Sequence, residues 1–441
     1  MKRMATSLLV AAALVGCGED DHEHETATPA ATAAPTAAQL SGVTWHKDVK
    51  PLLDQACTRC HFDGGVGPGD FTTYEKAAPL AELMSAFTSA GLMPPPAADP
   101  GCRDYQGSGQ MVVSEAQKQI LADWAADGAP EGDPAEAPPP LTSSVPQHLD
   151  GADLEVRIPA YSPSFRQSGD AYTCFVLETG REEGFYITGF EPLIDETSMV
   201  HHLVLMADQN NDVRDAYGTQ PFECHDDSYE TDPQLSEVSN DWVALAAWAP
   251  GGGVIDLGEE NGLWVGPGQV LVLQMHYYES SEEARFLEDT SGYRMRTAET
   301  VKNEVFQLYP GPYEFVIPAE DDNYSDVQSV KWSRAFGSAG MRLLGTFPHM
   351  HVLGKSYRSW IEHADGSESC VIAGPYDFDN QLSYMFNEPV DWMAGDTWHN
   401  ECTWDNSSSN PNQIYSPPQT ATYGEGTGDE MCFFITYGYA L

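Results

Sequence analysis

Basic residues are scarce in this chain. Its 441 residues include 21 Lys and Arg against 67 Asp and Glu, a formal net charge of −46. A surface of that sign repels phosphate backbones, which argues against nucleic acid as a partner. Long apolar runs are missing too: beyond a short leader, no stretch of about 18 apolar residues occurs that would span a bilayer as a helix. After residue 148 nothing shows the strand–helix alternation of a parallel sheet, which leaves antiparallel architectures. What is present is ample core material, 41% hydrophobic residues, broken by 39 Gly and 31 Pro. That mixture suits short strands and many turns, and the length suggests about three units.

The first seventeen residues read as an export signal: Lys2 and Arg3, an apolar run from Met4 to Val15, then Leu14-Val15-Gly16-Cys17. Small residues before a cysteine resemble the lipobox of bacterial lipoproteins, whose cysteine is acylated and becomes the new N-terminus. Cys17 is thus the expected lipidation site, with an ordinary secretory signal as the alternative. Gly18 in place of Asp favours the outer membrane, facing the periplasm or cell surface, with the lipid as the sole membrane attachment. Residues 18–42 are Ala, Thr, Pro and acid and read as a disordered tether, with His22 and His24 solvated in it. Nine cysteines in an exported chain invite disulfides.

Cys57-Thr58-Arg59-Cys60-His61 is the CxxCH pattern of covalent haem c, in which both thiols hold the haem and the imidazole ligates its iron. A redox disulfide or another metal site is the competing reading of CxxC. Apolar residues at helical spacing precede the motif. Gly91-Leu92-Met93-Pro94-Pro95-Pro96 resembles the Met-Pro-Pro loop of small cytochromes c, which makes Met93 the sixth-ligand candidate and Met84 and Met111 its rivals. Ser114 and Gln117 form a capping box for a helix ended by Gly128 and Pro130. Residues 43–132 therefore read as a small all-α cytochrome c-like domain, followed by a Pro-rich linker over 133–147.

From His148 on, segments such as 171–177, 185–190, 200–206, 270–278 and 433–439 read as strands of antiparallel sandwiches, enough for two. Histidines cluster at His201-His202, at His276 and at His349-Met350-His351. On a strand His349 and His351 share a face and suit bidentate metal binding, whereas alternation would put His201 and His202 on opposite faces, so that only one serves. Imidazoles without nearby thiolates suit copper or zinc, and a thioether shifts the choice toward copper(I).

The set of HHL (201–203), LQMHY (273–277), PHMHVLGK (348–355) and Asp429-Glu430-Met431-Cys432 resembles the copper type II ascorbate-dependent monooxygenases, the family of the peptidylglycine and dopamine β enzymes. It covers nearly all of residues 150–441 in the family's order. The resemblance implies two tandem jelly-roll-like β-sandwiches, 148–300 and 301–441, each with one copper. His201, His202 and His276 would hold an electron-transfer copper, and His349, His351 and Met431 the catalytic one. It also implies disulfides Cys402–Cys432 and Cys174–Cys224, with Cys102 and Cys370 either free or joining the modules. The implied reaction is hydroxylation of an activated C–H bond of a small organic substrate by O2. Electrons would come from the fused haem, from ascorbate, or from a periplasmic donor. The rival is a non-enzymatic copper-binding or electron-transfer lipoprotein.

The chain also departs from that family. Peptidylglycine enzymes carry a carboxylate-clamping Arg two residues before the first His of PHMH; here Phe347 stands there, and Phe433 and Ile435 replace a later Asn and Tyr. A peptide ending in glycine is a poor guess for the substrate. Residues 148–441 carry 13 basic and 48 acidic residues, so most of the acid lies on the oxygenase-like region and points to neutral or cationic substrates.

Overall fold

The structure, a computed structural model, describes residues 41–63, 67–139, 148–166, 169–224, 232–249, 252–279, 281–333, 339–378, 380–424 and 428–441. The leader with Cys17, nearly all of the 18–42 tether with His22 and His24, and residues 140–147 of the linker lie outside the described residues.

Helices come first. A π-helical turn over Trp45–Val49 runs into α1 (Lys50–Ala56), followed by α2 (Tyr74–Ala77), α3 (Ala81–Ser89), α4 (Ser108–Met111) and α5 (Glu115–Ala126). Ser114 and Gln117 cap α5 reciprocally, satisfying N–H groups that a helix start leaves unpaired. Trp45, Leu53, Met84, Leu121 and Trp124 bury their side chains together, and the indole of Trp124 donates to the Pro130 carbonyl at 3.0 Å, so the chain folds back beyond α5.

The rest is β. The first half holds β1 (Leu154–Arg157), β2 (Asp170–Glu178), β3 (Phe185–Leu193), β4 (Val200–Asp208), β5 (Phe222–Glu223), β6 (Trp242–Trp248), β7 (Ile255–Asp256), β8 (Asn261–Val265), β9 (Val270–Tyr278) and β10 (Gly292–Ala298). The second half holds β11 (Asn303–Leu308), β12 (Val316–Ile317), β13 (Tyr324–Lys331), β14 (Gly340–Met350), β15 (Gly354–Glu362), β16 (Glu368–Pro375), β17 (Tyr384–Met393), β18 (Thr397–Trp404), β19 (Ala421–Thr422) and β20 (Cys432–Ala440). One sheet of the first half runs β5-β2-β9-β4-β6, and one of the second runs β13-β18-β15-β16. The long strands that remain merge into a single sheet, β1-β10-β3-β8-β11-β20-β14-β17, with β7 beside β3, and β12 and β19 form a separate two-stranded sheet.

Pattern follows position. Central β9 (VLVLQMHYY) is buried almost throughout, whereas β13 (YSDVQSVK), at the edge of its sheet, alternates half-buried and exposed residues. The merged sheet depends on β11, whose first half pairs in parallel with β8 and whose second half pairs antiparallel with β20. Gly262 at this junction admits no side chain, since a Cβ would come within 2.8 Å of Tyr186. Leu344, Met385 and Tyr437 of the second half pack into the core of the first, and the buried Tyr437 hydroxyl donates to the Leu245 carbonyl at 3.0 Å.

Three disulfides tie the layers. Cys402–Cys432 crosslinks the two sheets of the second sandwich, and Cys174–Cys224 holds the chain after β5 against β2. Cys102–Cys370 joins the helical region to β16, closing a sequence separation of 268 residues. Residues 96–111 accordingly leave the helical core: Ala98, Tyr105 and Met111 are buried in the core of the second sandwich. Replacing both cysteines (Cys102→Ser with Cys370→Ser) should lower stability by about 2–4 kcal/mol, as removal of a long-loop crosslink does. Urea unfolding measures it, and an unchanged midpoint would show that the crosslink adds nothing to the hydrogen bonds beside it.

Candidate metal centres

His201 and His202 lie at the start of β4, His276 near the end of β9. The ladder between them pairs Val200 with Tyr277 and then His202 with His276, leaving His201 as the extra residue of a β-bulge. The bulge turns both adjacent imidazoles to one side. Simple alternation, which gives only one of them to the site, fails here for that reason.

The three Nδ1 atoms converge, with His201–His202, His201–His276 and His276–His202 separations of 3.4, 3.1 and 3.2 Å. The centre of such a triangle lies about 1.9 Å from each nitrogen, close to the metal–imidazole bond length of about 2.0–2.1 Å. A carboxylate supports the ring from behind: His276 donates Nε2–H to Asp170 Oδ1 at 2.9 Å, which leaves Nδ1 as a bare lone pair toward the cluster. Tyr172 stacks on the same ring at 3.9 Å. Burial, and then the charges that His276, His201 and His349 would carry, push His202 well below the ordinary histidine range. Neutral imidazoles are what a metal needs.

That second cluster sits at the end of β14. His349 and His351 have ring centroids 5.3 Å apart. His349 donates Nδ1–H to Gln381 Oε1 at 2.7 Å, and the Gln381 amide is oriented by its own donation to the Phe378 carbonyl at 3.0 Å. His351 donates Nδ1–H to the Asp429 carbonyl at 3.1 Å. With Nδ1 committed on both rings, Nε2 is the nitrogen each would offer a metal, the reverse of the three-histidine cluster. Met431 is buried and lies one residue before Cys432, which pairs with Met350, so the register brings it beside His351. A thioether with two imidazoles suits copper(I), and three imidazoles suit copper in either state.

Glu430 ties this corner together. Fully buried, it accepts the N–H of Leu353 on one oxygen and the N–H of His351 and the indole N–H of Trp404 on the other, at 2.7, 3.0 and 2.9 Å. Burial pushes its carboxyl up to about 7 against the pull of those bonds. The sequence shows Glu430 only as part of the Asp429-Glu430-Met431-Cys432 motif, with no role of its own, and Asp170 and Gln381 as ordinary polar residues; nothing in their spacing signals that each holds a histidine strand or ring.

Around His349 the surface is apolar and aromatic. Phe347, His349, Phe433 and Ile435 share the face of β14 and β20 that points away from the core, with Phe347 paired to Ile435 and His349 to Phe433. Tyr313 and Tyr423, both partly exposed, close on Phe433 with centroids 5.3 and 6.1 Å away.

In the helical region Cys57 and Cys60 are not joined to each other or to another cysteine. Burial raises both thiols, that of Cys57 to about 12. His61, nearly buried, donates Nδ1–H to the Pro68 carbonyl at 2.8 Å and stacks on Phe71 at 4.2 Å, leaving Nε2 available. A Cβ on Gly67 would meet the His61 ring at 2.8 Å, so glycine is required there. Met93 follows α3, its N–H held by the Phe87 carbonyl at 3.3 Å. Of its rivals, Met84 is packed in the helical core and Met111 in that of the second sandwich.

Residues 155–284 match the family model of the copper type II ascorbate-dependent monooxygenase N-terminal domain, and residues 311–440 that of the C-terminal domain. None of the curated proteins matches the chain. Among solved structures it is similar to the infectious bursal disease virus VP2 subviral particle, at 10% identity over 69% of this chain and 74% of that one, with a TM-score of 0.17. It is also similar to Broad Bean Stain Virus, at 10% identity over 70% and 94%, with a TM-score of 0.20. At these scores the likeness carries no argument.

Removing the carboxylate behind His276 (Asp170→Ala) should weaken copper binding at the three-histidine cluster by about 10–100-fold. Competition against a chelator reads this directly, and an unaltered affinity would show that Asp170 does not orient the ring.

Proposed function

The chain belongs to the copper type II ascorbate-dependent monooxygenases, whose two domains together span more than half of it, and from that premise we propose a lipid-anchored, exported enzyme that hydroxylates an activated C–H bond of a small neutral or cationic molecule. The observation that carries the reading is the pairing of two unlike donor sets, three Nδ1 nitrogens on one sandwich and two Nε2 nitrogens with a thioether on the other. A storage site has no need of that contrast. His201, His202 and His276 hold the electron-transfer copper, and His349, His351 and Met431 the catalytic one. When bound, copper supplies one-electron chemistry at both sites and O2 activation at the second.

The stoichiometry is R–H with O2, two electrons and two protons giving R–OH and water. The chain's own residues prepare it. Asp170, Gln381 and the Asp429 carbonyl fix which imidazole nitrogen is committed to a hydrogen bond, and Glu430 clamps the His351 turn to the segment that bears Met431. The aromatic group of Phe433, Tyr313 and Tyr423 beside His349 supplies apolar contact and the ring faces that attract an ammonium group, with no Arg present at position 347 to clamp a carboxylate. The acidic surface of residues 148–441 favours the same charge class.

Haem c fits residues 57–93. Two unpaired thiols at CxxCH spacing, an imidazole whose Nδ1 is committed to a carbonyl, and a glycine that leaves room for that ring all suit covalent attachment with His61 as a ligand and Met93 as the sixth-ligand candidate. When bound, the group would supply single electrons to the oxygenase, alongside or in place of ascorbate, and a periplasmic donor would refill it. The Cys17 lipobox supports an outer-membrane location.

Met431→His should retain copper at both sites yet abolish oxygenation, measured as O2 consumption with a panel of small amines and apolar compounds; normal turnover would dismiss Met431 as the catalytic ligand. Tyr313→Ala with Tyr423→Ala should raise the KM for a cationic substrate with little change in kcat, because uniform binding is what is lost. An equal loss with anionic and cationic substrates would refute the proposed charge preference.

A further inference from the structure

Segment 96–111 leaves the helical core, docks on the second sandwich and returns. The Pro96 carbonyl accepts Nδ2–H of the buried Asn380 at 2.8 Å. The Asp99 N–H donates to the Ala373 carbonyl at 2.8 Å, Arg103 donates to the Cys370 carbonyl at 2.8 Å, and the Gln106 N–H donates to the Met385 carbonyl at 2.8 Å. The Cys102–Cys370 disulfide lies among them. Every one of these contacts falls on the second sandwich.

Both ends of the segment reach the CxxCH region. Pro96 stands three residues after Met93. At the far end α4 lies against α1, the helix that runs into Cys57, where Gln55 donates to the Gly109 carbonyl at 2.5 Å. Burial pushes Tyr105 and Tyr384 above the ordinary phenol range, and Arg59, between the two haem-motif cysteines, opposes it in both. The segment itself pairs with β17 through the bridge of Tyr105 to Phe386. On the copper side Asn380 is bonded to Gln381, and Gln381 accepts the Nδ1–H of His349.

A short path results: Met93 to Pro96 along the chain, one hydrogen bond to Asn380, one peptide to Gln381, and one hydrogen bond to His349. We propose that this clasp is an electron entry of the enzyme, delivering electrons from the residue 57–93 haem site directly to the His349–His351–Met431 copper, while the three-histidine copper keeps its role as holder of the second electron of each turnover. The proposal rests on the haem reading above. One electron leaves ferrous haem, which becomes ferric, and copper(II) at the Met431 site becomes copper(I); no bond breaks and no proton moves. Ascorbate or another one-electron donor restores the ferrous haem. Asn380 is a positioning residue in this scheme, since it touches neither metal.

Flash reduction of the haem in the full, copper(II)-loaded chain, without O2, tests the route by following the ferrous haem absorption band and the copper(II) electron paramagnetic resonance signal. Haem reoxidation should persist when the three-histidine site is emptied by His201→Ala with His276→Ala, and disappear when the other is emptied by His349→Ala with His351→Ala. Asn380→Ala should slow the phase by about tenfold or more, as loss of a group that orients a metal site does, with copper content and copper(II) spectra unchanged. Reoxidation lost with the three-histidine site and kept without the Met431 site would overturn the route and leave the haem reading standing. A chain that carries no covalent haem when matured would sink both.

Discussion

Strand β11 is the constraint on which the arrangement depends. By pairing with β8 along one half and with β20 along the other, it makes one layer of each sandwich part of the same sheet. β14, which carries His349, lies next to β20 in that sheet, while β4 and β9, which carry His201, His202 and His276, form the layer facing it. The two histidine sets are therefore fixed in one frame. Hydrogen bonds of a sheet are short and directional, so the frame tolerates little sliding. The buried Tyr437–Leu245 hydrogen bond and the shared core around Leu344 and Met385 add a second restraint of a different kind.

Within that frame each site is prepared by groups that bind no metal. A β-bulge turns His201 and His202 to the same side, and Asp170 selects the nitrogen that His276 presents. At the other site an amide and a main-chain carbonyl select the opposite nitrogen on both rings, and a buried carboxylate welds the His351 turn to the Met431 segment. The contrast between the sites is thus built into tautomers and register as well as ligand identity. That preparation lowers the reorganisation each site undergoes on binding a metal.

Much of this was legible in the sequence because candidate metal ligands are chemically distinctive. The strands over 200–208, 270–278 and 432–440 follow from apolar runs, and the helix over 115–126 follows from its cap. What could not be read was anything set by partner strands. Alternation misplaces one of His201 and His202, since a bulge depends on the ladder across from it. Asp170 and Gln381 look like surface residues until the fold aims them, and Glu430, though part of a motif, shows no role until the fold buries it. Cys102 and Cys370 are 268 positions apart, so no local spacing reveals that they join, nor that residues 96–111 desert the helices for the second sandwich.

The central claim is that one chain holds two unlike copper sites, one all-nitrogen and one with a thioether. Copper K-edge X-ray absorption of the copper(I)-loaded protein, with metal content measured on the same sample, addresses it most directly. The account predicts two coppers per chain and a sulfur neighbour on about half of them, lost in a Met431 variant. A single copper per chain, or nitrogen ligation alone at full loading, would contradict it.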